Sequence, residues 1–125
     1  MNPGPSLNQP LKLSRKTTAV HLNYYVKILG FEKYVETPNL GIVERDGHQI
    51  HLMRSQEEQP AHRVWIGVED ISILFNQYRK KGVKFFQEPT NFSWAYQMIV
   101  EDLDGNRLIF GSGPKLDEPF QDGQE

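Results

Sequence analysis

The chain has 125 residues, of which 38% are hydrophobic and 24% charged, and a formal net charge of −2. That size suits one domain with a modest core, and the slightly acidic balance argues against a basic nucleic-acid surface or a polybasic membrane patch. With no cysteine, disulfides, thiolate nucleophiles and cysteine-ligated zinc are excluded together. No apolar run approaches the roughly 20 residues of a membrane helix, and the N-terminus lacks the apolar stretch of a secretory signal, so a soluble cytoplasmic protein is expected.

In chain order, residues 1–9 are rich in proline and asparagine and read as a flexible N-terminus. Pro10 to Ser14 then alternates, with Leu11 and Leu13 on one face. Thr17 or Thr18 can cap a helix whose apolar positions Val20, Tyr24 and Ile28 recur every four residues until Gly30 ends it. Within that helix His21 reads as a surface residue, and Tyr24 and Tyr25 as packing against a sheet. Three strands follow, Phe31 to Thr37, Leu40 to Arg45 and His48 to Arg54, broken at Pro38-Asn39 and Asp46-Gly47.

Residues 55–61 are polar, contain Pro60 and read as a linker. Beyond it Val64, Ile66 and Val68 alternate with Arg63, Trp65 and Gly67. Asp70 is a candidate N-cap for a helix with Ile71, Leu74, Phe75 and Tyr78 on one stripe, ending at Lys80-Lys81-Gly82. Val83 to Phe86, a long loop over 87–94, Ala95 to Glu101 and Asn106 to Gly111 complete the pattern. Residues 112–125 are rich in Gly, Pro, Asp and Gln and are expected to be a disordered acidic tail.

The order is therefore β-α-β-β-β twice, over 10–54 and 62–111. The halves also end alike, since Asp46-Gly47-His48-Gln49-Ile50-His51-Leu52 is echoed by Asp104-Gly105-Asn106-Arg107-Leu108-Ile109-Phe110. This predicts an α+β domain of two paired modules.

The set Tyr25-Val26-Lys27-Ile28-Leu29-Gly30-Phe31, Val68-Glu69-Asp70-Ile71 and Val100-Glu101-Asp102-Leu103-Asp104-Gly105-Asn106 resembles the glyoxalase/bleomycin resistance/dioxygenase family, also called the vicinal oxygen chelate superfamily. The resemblance covers about Pro10 to Gly111. It implies paired modules that form a curved mixed sheet around a cleft, and a homodimer whose clefts draw on both chains. It does not fix function, because the family holds metal-dependent lyases, isomerases, ring-cleaving dioxygenases and fosfomycin-type transferases beside metal-free binding proteins.

Enzymes of that family hold a divalent metal with His, Gln or Glu from the first and last strands of each module. Aligning the helices and Asp-Gly turns puts Pro10, His51, Arg63 and Ile109 at those positions. Only His51 offers a metal donor, because proline and isoleucine have none and a guanidinium repels a cation. Alternation independently turns His51 away from the face of Ile50 and Leu52, and Arg63 and Trp65 away from that of Val64 and Ile66. A one-residue slip would exchange Arg63 for His62 but bury the wrong face. His48, three residues from His51 in a strand, points the opposite way and reads as an exposed turn residue.

The candidate ligand-binding residues are therefore His51, Arg63, Trp65, Trp94, Phe92, Tyr96 and Arg107, with no catalytic residue, no metal site and no cofactor. Metal-free bleomycin resistance proteins, which the chain locally resembles at Gln49-Ile50-His51-Leu52 and Trp94, carry aromatic residues in this region that flank a flat ligand. Lys12, Arg63 and Arg107, if they face inward, would favour an anionic or neutral ligand. Three readings stand open. One is a metal-free protein that sequesters an aromatic or amphipathic small molecule. Another is a metal-dependent enzyme with an atypical ligand set around His51 and His62, Glu101 or Glu44. The third is a non-binding member whose cleft its own side chains fill.

Overall fold

A computed structural model describes residues 9–13, 18–54 and 62–123. The expected linker over 55–61 lies outside the described residues, as does all of the expected N-terminal segment except Gln9. The first module runs β1 (Gln9–Leu13), α1 (Thr18–Asn23), a π-helical turn (Tyr24–Ile28), β2 (Glu32–Glu36), β3 (Leu40–Arg45) and β4 (His48–Arg54). The second runs β5 (Arg63–Gly67), α2 (Ile71–Lys80), β6 (Phe85–Asn91), β7 (Tyr96–Glu101) and β8 (Arg107–Ser112). Each builds a four-stranded mixed sheet in the same order, β1-β4-β3-β2 and β5-β8-β7-β6, with the first strand parallel to the last.

Local chemistry accounts for the element ends. Asp46 and Gly47 both take positive φ, 50° and 82°, the two-residue hairpin turn whose twist suits the flanking strands. The Asp70 side chain accepts a hydrogen bond from the Ile73 amide and caps α2, whose last turn carries Arg79 and Lys80 against the negative end of the helix dipole. Helix 1 departs from the expected single helix. After Asn23 it widens, the Leu29 amide reaching back to the Tyr24 carbonyl at 3.1 Å, before Gly30 with φ 79° turns the chain into β2.

The buried side chains of both modules form one continuous cluster, from Leu22, Tyr25, Val43 and Ile50 to Val64, Ile66, Leu74 and Phe110. Polar groups join the modules as well. The Tyr25 hydroxyl donates to Asp102 at 2.8 Å, and that carboxylate also accepts from the amides of Asp104 and Asn106 and from Asn106 Nδ2. Tyr78 donates in turn to the Leu29 carbonyl. Burial, then the nearby Asp102 charge, pushes the Tyr25 hydroxyl far above its ordinary pKa of 10.0, and burial raises that of Tyr78.

Two expectations are corrected here. His21 is fully buried rather than on the surface, with Nε2 3.8 Å from Asp104 Oδ2. Helical periodicity registers the face that a helix turns to its own sheet, whereas His21 lies under a turn of the other module. Residues 113–123, expected to be disordered, lie along the β6–β7 hairpin instead. The buried Asn91 side chain holds them, donating to the carbonyls of Lys115, Glu118 and Pro119 and accepting from the Lys115 amide. Two amide hydrogen bonds, Gln121 to the Asn91 carbonyl and Ser93 to Asp122, secure the far end.

Candidate ligand-binding site

In the second module, alternation along the strands divides side chains cleanly. Val64, Ile66, Met98, Val100, Leu108 and Phe110 enter the core, and Arg63, Trp65, Gln97, Ile99, Arg107 and Ile109 take the other face. The far edge of the Trp65 benzo ring sits against Gly111 of β8. A Cβ on Gly111 would stand 2.6 and 2.7 Å from Trp65 Cζ3 and Cζ2, so glycine is what seats the indole there.

Trp65 and Trp94 belong to the wall of an open cleft of about 980 Å³ at the ends of β5 and β8. Gly67, Gly111 and Ser112 line it together with Ile73, Leu74 and Gln77 of α2 and with Arg45 and Asp46 of the first module. Trp94 is about half exposed. Its indole N–H donates to Gln97 Oε1 at 3.3 Å, and Gln97 Nε2 donates onward to Gln87. The Phe92 ring stacks behind it, centroids 4.7 Å apart and planes within 4°.

The structure thus brings together two of the seven residues expected to bind ligand. Phe92 is corrected: it is fully buried and supports Trp94 from behind, because the 92–95 turn closes on itself through reciprocal amide bonds between Phe92 and Ala95 and tucks the first ring inward. Tyr96 is corrected too, since it lies on the core side of β7, packed against the cluster with Lys115 Nζ 4.3 Å from its ring centre. Arg107 does take the face of Trp65, but its guanidinium lies 3.5 Å from the centre of the Phe86 ring and 3.4 Å from Glu101, so its charge is spent. Arg63 is exposed and outside the cleft wall.

His51 belongs to the other sheet, between Pro10 and Ile42 in register, its Nε2 enclosed without a hydrogen-bond partner among the described residues. Pro10, His51, Arg63 and Ile109 do not fit a divalent metal, since the set offers one imidazole, two residue types without donors and one cation. Among the described residues no three His, Cys, Asp or Glu side chains gather as a metal site would need.

Sequence reasoning missed Gly111, Asn91 and His48. His48, expected in an exposed turn, is partly buried, with Nδ1 enclosed and unpartnered among the described residues. Charge in the cleft wall also differs from expectation. Arg45 faces Asp46, Glu69 and Asp70 there, an excess of carboxylates. The Lys12 side chain lies outside the described residues.

Among the described residues no helix is long and apolar enough to cross a membrane. The sequence profile of the Glyoxalase/Bleomycin resistance protein/Dioxygenase superfamily matches residues 10–110. The arginine–tRNA ligase of Lactococcus lactis subsp. lactis strain IL1403 is 36% identical over 95 residues, 73% of this chain but 16% of that protein. The chain thus spans about one-sixth of the length of the curated relatives it matches. Two solved structures share the fold. The bleomycin-binding protein of bleomycin-producing Streptomyces verticillus, complexed with copper(II)-bleomycin, superposes with a TM-score of 0.69 at 22% identity, over 86% of this chain and 97% of that one. TnmS3, an antibiotic binding protein from Streptomyces sp. CB03234, gives 0.69 at 19% identity, over 90% and 99%.

Proposed function

The chain belongs to the glyoxalase/bleomycin resistance protein/dioxygenase superfamily, and from that premise we propose that it is a metal-free protein that binds and sequesters an aromatic or amphipathic small molecule. The observation that carries this reading is the cleft between Trp65, seated on Gly111, and Trp94, backed by Phe92. Concave, partly aromatic walls with a few placed polar groups are the usual form of a small-molecule site. Antibiotic-binding proteins on the same fold support it. The failure of the four family positions as a ligand set weighs against the metal-dependent alternative.

The carboxylates of Asp46, Glu69 and Asp70 direct the reading toward a neutral or cationic ligand. The same reading includes a homodimer, in which a second copy would close the open side of the cleft over the exposed rings of Trp94 and Phe86. Sequestration needs no nucleophile or general base, only affinity and enough protein to outnumber the ligand.

The test is a tryptophan-fluorescence titration with metal-free bleomycin and with 2-naphthamide, in buffer containing EDTA. Saturable quenching is expected, and Trp65→Ala and Trp94→Ala should each weaken it about tenfold, given the contact area and stacking a ring supplies. Unchanged affinity in both variants would place the ligand elsewhere, and binding that vanishes with EDTA would restore the metal-dependent alternative.

A further inference from the structure

We infer that the cleft wall at Gly67 is a hydrogen-bond-donating subsite that takes a neutral acceptor, such as an amide or ketone oxygen carried by an aromatic ligand. The inference rests on the reading of the cleft as a small-molecule site and adds to it what chemistry that ligand carries. Gly67 ends β5 in ordinary extended backbone, so no positive φ demands a glycine there. Its missing side chain leaves open space instead. From the point where a Cβ would stand, His48 Nε2 is 3.9 Å away and Trp65 Nε1 4.0 Å away, and among the described residues beyond Gly67 and its chain neighbours no other heavy atom is that close.

Both nitrogens can act as donors beside that space. An indole nitrogen is always a donor. Trp94 gives its own N–H to Gln97, whereas that of Trp65 meets no partner among the described residues. For His48 the Nδ1 atom is enclosed and meets no acceptor among the described residues, so we assign the ring proton to Nε2, the nitrogen beside Gly67, where a donor has room for a partner. Two unspent donors from different modules therefore flank one vacant volume in the cleft wall.

The surrounding charge narrows the acceptor. Asp46, Glu69 and Asp70 line the same cleft with Arg45, which already donates to the Gly30 carbonyl at 3.0 Å and lies 3.6 Å from Asp46. A carboxylate or phosphate entering at Gly67 would meet three carboxylates against the one cation, Arg45, that the described cleft lining holds, whereas an amide carbonyl accepts both protons without that repulsion.

The experiment compares 2-naphthamide with 2-methylnaphthalene, rings of the same area with and without the acceptor, by ¹H–¹⁵N correlation spectra of the indole and imidazole nitrogens. Both probes should move the Trp94 indole signal. Only the amide should shift the Trp65 indole proton downfield and perturb His48 Nε2, and it should bind about tenfold tighter, as two net hydrogen bonds allow. Gly67→Ala places a methyl at van der Waals distance from both nitrogens, so the fold should persist by circular dichroism while the preference for the amide collapses. Equal affinity for the two probes, or a preference that survives Gly67→Ala, would overturn the subsite. Neither probe moving any cleft resonance would overturn the small-molecule reading, and the subsite with it.

Discussion

The two modules share strand order, turn chemistry and a parallel pairing of first strand with last, yet the cleft described above draws both its tryptophans and most of its wall from the second and only Arg45 and Asp46 from the first. The difference lies in a few side chains on the face away from the core. In the first module the close approach at a glycine belongs to the core, where a Cβ on Gly41 would stand 2.8 Å from Leu22 Cγ and Cδ2. In the second, the equivalent intimacy at Gly111 is on the open face and seats Trp65. The repeated order supplies the scaffold, and the placement of small residues against large ones sets what each sheet packs on its glycine.

The sharpest way to break this comparison is to substitute both glycines. Gly111→Val should unseat Trp65, weaken binding of 2-naphthamide about tenfold as Trp65→Ala does, and cost about 1–3 kcal/mol of stability through overpacking. Gly41→Ala should cost a similar amount, read by urea denaturation, while quenching persists in the folded fraction. Quenching weakened equally in both would mean that the site depends on the whole fold rather than on the seat beneath Trp65.

A second prediction concerns the join that lets two unequal modules fold as one. Tyr25 and Tyr78 are both held neutral by burial, with Asp102 adding to the effect at Tyr25 and their pKa values raised above 10.0. Below pH 10 folded and unfolded chains bind these protons equally. Above it the unfolded chain releases protons that the folded chain keeps, so stability falls as pH rises, by at most about 1.4 kcal/mol per pH unit for each tyrosine. Urea midpoints measured from pH 8 to 11 should decline above 10, less steeply in Tyr25→Phe. An identical slope in that variant would show that Tyr25 is not part of the join.

Much of this scaffold is legible in the sequence, because β3, β4 and the cap and stripe of α2 follow from alternation, Asp-Gly turns and a four-residue period. The site is less so. Strand β6 reaches Asn91 through two register shifts and Pro89, which break the alternation and make it read as a loop. Trp65 and Trp94 could be placed near a cleft from periodicity and resemblance. The burial of Phe92 and the inward turn of Tyr96 depend on how the 92–95 turn closes and on which face of β7 packs, and no residue pattern there separates the two faces. The role of Gly111 appears only when the β5–β8 register is known.

The smallest effect expected separates the modules once more, because among the described residues the side-chain and amide hydrogen bonds that hold the strap over 113–123 come from Asn91 and Ser93 of the second. Asn91 Nδ2 lies 2.9 to 3.3 Å from three strap carbonyls, and Oδ1 receives the Lys115 amide at 2.8 Å. Ser93, beside Trp94, donates to Asp122. Asn91→Asp keeps the acceptor but turns a carboxylate toward those carbonyls, and should release the strap with little change in the core. Amide exchange at Ser93 and Gln121 should quicken, and affinity for 2-naphthamide should fall about threefold as Trp94 loses its fixed pose, whereas amides of β4 should exchange as before. Truncation after Gly113 should reproduce both changes without introducing a charge. Slow exchange at Ser93 in the truncated chain would show that the 92–95 turn holds Trp94 unaided, which would make the hairpin, and not the strap, the element that sets the two modules apart.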